Sequence, residues 1–92
     1  MNSTLISRNV TIRGRRTSLR LERQIWNALD EICQRERITL HELCMYIESQ
    51  RRKASRTSAV RTFALMYFHA AATEQGHIRA GHGKLASKIK KD

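Results

Sequence analysis

The sequence predicts a mainly α domain that opens on one short N-terminal strand and continues through helices. Alternation is the first sign: Thr17, Leu19 and Leu21 fall on one side of Arg16, Ser18 and Arg20, the period-two pattern of a half-buried strand. The helix-like run that begins at Glu22 follows without a turn residue between, and two further apolar stripes at spacings of three and four come after it. With 92 residues and no proline the chain fits one small domain. A chain of this size buries only roughly 60 to 65% of its unfolded surface, so its own core is marginal and a partner subunit is expected.

Residues 1–15 read as a flexible basic arm, since small polar residues dominate and Gly14 sits among Arg13, Arg15 and Arg16. Val10 and Ile12 also alternate with polar residues, but on the opposite parity to Leu19 and Leu21. A ribbon extended through them would need Gly14 as a bulge or turn.

The next stripe is Ile25, Trp26, Leu29, Ile32 and Cys33, with Asp30, Glu31, Gln34 and Arg35 on the wet side, which is an amphipathic first helix. Arg37, Ile38 and Thr39 break it. Thr39 and Glu42 have capping-box spacing and open a second helix, whose buried stripe is Leu40, Leu43, Cys44 and Ile47. Arg51 to Ser58 is nearly free of apolar residues, and Ser55, Thr57 or Ser58 could cap a third helix carrying Val60, Phe63, Ala64, Tyr67, Phe68 and Ala71. With no glycine or proline between Gly14 and Gly76, one continuous helix from Leu40 to Ala72 fits the pattern as well. From Glu74 onward glycines, histidines and lysines predominate, and 74–92 reads as a flexible basic tail flanking a domain over 16–73.

The formal charge is +10, and its distribution narrows the partner. Residues 1–22 carry +4, 23–50 carry −2, 51–73 carry +5 and 74–92 carry +3. Two strongly basic segments around an acidic one suit a polyanion such as nucleic acid. Two guanidinium groups and a hydroxyl on a rigid strand suit the base edges of a DNA major groove.

A short strand, an immediate helix, a three-residue turn and a capped second helix follow in order over Arg16 to Ile47, and this stretch resembles the ribbon-helix-helix DNA-binding family. The third helix with its preceding Arg51 and Arg52 is similar to a bacterial subgroup with an added C-terminal helix. The resemblance implies a strand that pairs antiparallel with that of a second chain, so that the ribbon enters the major groove and Arg16, Ser18 and Arg20 touch bases. Because a lone two-stranded ribbon is marginal in water, Leu19 and Leu21 are expected to seat it on a dimer core with Ile25, Trp26, Leu29, Leu43 and Ile47.

Phosphate contacts are expected from Arg13 and Arg15, from Thr39 and Leu40 at the start of the second helix, where backbone N–H groups and the helix dipole favour anions, and from Arg51, Arg52 and Lys53. Arg37 stands where glycine or asparagine usually closes the first helix in a left-handed conformation, at a cost of roughly 1 kcal/mol, and its charge could bind carbonyls or a phosphate.

Cys33 and Cys44 lie on apolar faces as small hydrophobes, and neither they nor His41 have zinc-site spacing. No nucleophile and base pair, paired carboxylates or phosphate-binding glycine loop appears, so neither an enzyme nor a cofactor is expected. No apolar stretch approaches the roughly 20 residues of a membrane span, and the first residues lack a secretory signal's apolar core. The expectation is a cytoplasmic, nucleoid-associated homodimer, or higher oligomer on double-stranded DNA, that represses or regulates transcription at a palindromic operator. A plasmid-transfer accessory factor, an RNA binder and an interaction module using the C-terminal helix are the alternatives.

Overall fold

The computed structural model describes residues 4–72. They form β1 (Leu5–Ile12), β2 (Arg15–Glu22), α1 (Arg23–Glu36), α2 (Leu40–Gln50) and α3 (Arg56–Ala72). The tail expected over 74–92 lies outside the described residues.

The first correction concerns the arm. Residues 5–12 are a strand, paired antiparallel with β2 in a register that sets Ile12 opposite Arg15 and Val10 opposite Thr17. β2 was expected to pair with the strand of a second chain; within the chain, β1 takes one of its two edges. The opposite parity of Val10 and Ile12 is the reason. Across a two-residue turn, inward positions of one strand face inward positions of opposite parity in the other, so Val10 and Ile12 join Leu19 and Leu21 in the core. The turn is Arg13-Gly14 with φ of 53° and 77°, positive at both central residues as the tight hairpin turn of matching twist requires. Glycine adopts that conformation freely, whereas Arg13 is strained there.

α1 follows β2 directly and ends where Arg37 turns left-handed at φ 57°, ψ 46°; the N–H groups of Arg37 and Ile38 both reach the Cys33 carbonyl. A residue with a side chain thus does what glycine usually does. The capping box at α2 forms as its spacing requires: Thr39 Oγ1 accepts from the Glu42 N–H at 3.1 Å, and Glu42 Oε1 accepts from the Thr39 N–H at 2.8 Å.

Residues 40–72 are two helices rather than one. Arg51 leaves the helix at φ −69°, ψ 138°, and Ser55 caps α3 by accepting the Ser58 N–H at 3.2 Å. Across the break a single carboxylate is held from both sides. Glu48 accepts from Arg51 Nε and Nη2 at 3.1 and 2.9 Å, and from Arg56 Nε and Nη2 at 2.9 and 3.1 Å. Two forked pairs on one carboxylate fix the corner in a way no local propensity would.

The helices and the inner face of the hairpin enclose one core. Leu21, Leu29, Ile32 and Leu43 are fully buried, and Val60, Ala64 and Tyr67 of α3 close it. Burying each large aliphatic side chain contributes about 1.5–3 kcal/mol. The residues expected to form a dimer core therefore lie in the core of a single chain, with Ile25 partly buried at its margin.

Candidate nucleic-acid interface

Alternation sorts the hairpin into two faces. Inward lie Ile6, Val10, Ile12, Leu19 and Leu21. Arg8 shares that parity and seals the edge of the core, its guanidinium 4.5 Å from the centroid of the Trp26 ring and 3.4 Å from Asp30. Trp26 is itself fixed by donating from Nε1 to the Ile6 carbonyl at 2.8 Å, so it packs against the hairpin and is not offered to a base.

The outward face is uniformly polar through its middle. The cross-strand pairs are Ser7 with Arg20, Asn9 with Ser18 and Thr11 with Arg16, and all six residues are exposed. Arg16, Ser18 and Arg20, named from the strand pattern alone, thus share one face. Ser7, Asn9 and Thr11 were missed, because their segment reads as an arm unless Arg13-Gly14 is recognised as a turn. Residues directly opposite in such a ribbon stand about 4.5–5.5 Å apart at Cβ, so the face offers a compact grid of donors and acceptors.

The hairpin is held on both sides. The backbone N–H of Thr11 donates to His41 Nδ1 at 2.9 Å, which ties the outer edge of β1 to the first turn of α2 and places the proton of a neutral imidazole on Nε2. At the other end Glu22 takes a forked bond from Arg61 of α3 at 3.0 and 3.2 Å, and that guanidinium holds the Glu22 carboxyl below the usual carboxylate range. His41 could not have been found from spacing, since its partner lies thirty residues away.

The expected phosphate contacts divide. Arg13 and Arg15 are exposed at the tip of the hairpin. Together with Arg16 and Arg56 they line a cleft of about 700 Å³ between the hairpin and the corner at Glu48. Arg52 and Lys53 are exposed in the α2–α3 connection, whereas Arg51 is spent on Glu48 and the Ala54 carbonyl. At the start of α2 the Thr39 N–H is already taken by the Glu42 carboxylate, which also sets a negative charge where an anion would dock. Leu40 is half-buried beside it and Arg37 is exposed.

Two buried acids went unnoticed in the sequence, Glu36 at 1% exposure and Glu48 at 8%. Both continue an apolar stripe, Glu36 four residues after Ile32 and Glu48 four after Cys44, so spacing alone marked them as inward. Glu36 accepts from the Tyr67 hydroxyl at 2.6 Å, and burial followed by that bond pushes the phenol well above its ordinary value. Arg56, then Arg51, hold the Glu48 carboxyl down to about 2.

Burial pushes both thiols up to about 11, so Cys33 and Cys44 behave as hydrophobes and not as nucleophiles. Among the described residues no group of three metal-ligating side chains gathers, and no helix is long and apolar enough to cross a membrane.

A family model described as a ribbon-helix-helix domain matches residues 5–68, which spans both strands and all but the last turn of α3. No curated protein and no solved structure matches the chain.

Proposed function

The chain belongs to the ribbon-helix-helix family, whose members are DNA-binding regulators of transcription, and from that membership we propose that it represses or regulates transcription by reading double-stranded DNA with the outward face of its own hairpin. The observation that carries this reading is the exposed polar grid in which Arg16, Ser18 and Arg20 stand opposite Thr11, Asn9 and Ser7.

The chemistry of each position follows from what it can donate or accept. Arg16 and Arg20 suit the O6 and N7 acceptors of guanine, Asn9 suits the N6 and N7 edge of adenine, and Thr11 offers a methyl group to thymine. Ser7 and Ser18 contribute short hydroxyls that reach bases directly or through water. Arg13, Arg15, Arg52 and Lys53 contact phosphate and set the register.

Groove dimensions decide how many strands enter. The major groove is roughly 12 Å wide, while four strands spaced about 4.8 Å apart span about 14 Å between their outer axes before side chains are added. One hairpin therefore fills one groove segment, and a homodimer places two hairpins on the two halves of a palindromic operator. Such a regulator works in the cytoplasm, on the nucleoid.

Selection of duplexes from a random pool by the full-length protein, followed by footprinting, tests the reading. An enriched inverted repeat protected in its major groove supports it. A pool without enrichment, or tighter binding to RNA, overturns it.

A further inference from the structure

The angle between α2 and α3 holds a groove that the reading face of the hairpin does not involve. Its volume is about 330 Å³, at the lower end of the roughly 300–1,000 Å³ of small-molecule pockets, and its lining is mainly apolar. Polarity divides by segment. The two helices supply Ile47, Ala59, Thr62 and Phe63, while the connection between them supplies Arg51, Arg52 and Lys53. An edge contact with the Tyr46 ring, 6.0 Å between centroids, holds the Phe63 ring in place.

The three cations differ in what they are free to do. Arg51 is committed to Glu48 at 2.9 Å and to the Ala54 carbonyl at 3.1 Å. Arg52 and Lys53 are exposed, and among the described residues neither pairs with a carboxylate. An apolar groove with two uncommitted cations beside it suits a molecule with an apolar body and one anionic head. The body leaves water while the head keeps its charge at the solvent edge.

Charge and size disfavour other occupants. Residues 74–92 of the chain itself carry +3, so cations on the groove repel them. The wall from Ala59 to Phe63 runs about 6 Å along α3, shorter than the two turns over which a docked helix sets its anchors. A nucleotide base would find only the Thr62 hydroxyl and the Gln50 amide on the helices for its polar edge, and that amide already donates to the Ser49 hydroxyl at 3.3 Å. We propose that the groove is a binding site for a medium-chain fatty-acid carboxylate, its alkyl chain against Ile47, Ala59 and Phe63 and its head held by Arg52 and Lys53. The same two cations are assigned above to DNA phosphate, so on that reading ligand and duplex compete for them.

Calorimetric titration of the full chain without DNA, using the even-numbered carboxylates from hexanoate to tetradecanoate below their micelle concentrations, tests the site independently of any operator. One-to-one binding is expected, about fourfold tighter for each added methylene until the groove is filled and constant beyond that length. Thr62→Trp fills the groove from an exposed position, and is expected to abolish binding with an unchanged circular dichroism melt. Arg52→Ala together with Lys53→Ala is expected to raise the dissociation constant about tenfold as two exposed ion pairs are lost. An alkyltrimethylammonium of the same length should bind about tenfold more weakly than the carboxylate or worse. Absence of binding overturns the proposal. So does affinity that climbs with chain length without levelling, the mark of adsorption, or affinity that Thr62→Trp, the double substitution or a cationic head leaves unchanged.

Discussion

The hydroxyl of Tyr67 on α3 donates to Glu36 at the end of α1 across 2.6 Å, in the interior of the protein. This bond fastens the added helix to the ribbon-helix-helix core at a point where neither group meets bulk water. Tyr67→Phe keeps the ring, and with it the edge contact to Phe68 at 5.2 Å between centroids. The substitution is expected to destabilise the fold by about 1–3 kcal/mol, the cost of leaving a buried acceptor short of a donor. Urea unfolding measures it; a change smaller than a few tenths would mean that Glu36 is satisfied without the phenol.

Arg13→Asn should strengthen the fold and weaken the complex. Asparagine before glycine suits a turn with positive φ at both positions, and it relieves roughly 1 kcal/mol of strain at φ 53°. A higher thermal midpoint is expected, together with a salt slope of DNA binding lower by about one unit as a phosphate contact is lost. Lower stability would show that the Arg13 side chain supports the turn.

Acid should loosen the corner between α2 and α3. The Glu48 carboxyl is held near 2, below its ordinary 4.5. A depressed carboxyl contributes stability above its unfolded value and loses it as pH falls towards the folded one. Wild-type stability should therefore drop as pH falls from about 4.5 to 2, and that part of the drop should be missing in Glu48→Gln. Urea midpoints across this range decide it; parallel curves would contradict the assignment.

Arg20→Ala and Asn9→Ala should each cost about 1–3 kcal/mol of specific affinity, at different base positions of the selected operator. Removing Lys53 should instead weaken binding to all duplexes alike. Titrations against the operator and its single-position variants separate the two patterns, and an unchanged affinity for Asn9→Ala would exclude β1 from the reading face.

The helical part of this fold was legible because burial repeats at the helical period and because Thr39 and Glu42 announce a start. Arg16, Ser18 and Arg20 were legible for the same kind of reason, since alternation alone assigns them to one face. β1 was not. Its apolar residues occupy the parity that a two-residue turn demands, but Arg13-Gly14 lacks the asparagine or aspartate that usually marks such a turn, and Ser7, Asn9 and Thr11 were lost with it. The Thr11–His41 bond and the double grip on Glu48 are contacts between distant segments or around a corner, and no local periodicity encodes them.

A ribbon made by two chains exists only while those chains are associated, so its integrity falls with dilution. Here both strands are joined by two residues of one polypeptide, and the hairpin closes on itself in microseconds at any abundance. On the reading proposed above, cellular copy number sets how many operators are occupied, while each newly made molecule already carries its own folded reading face.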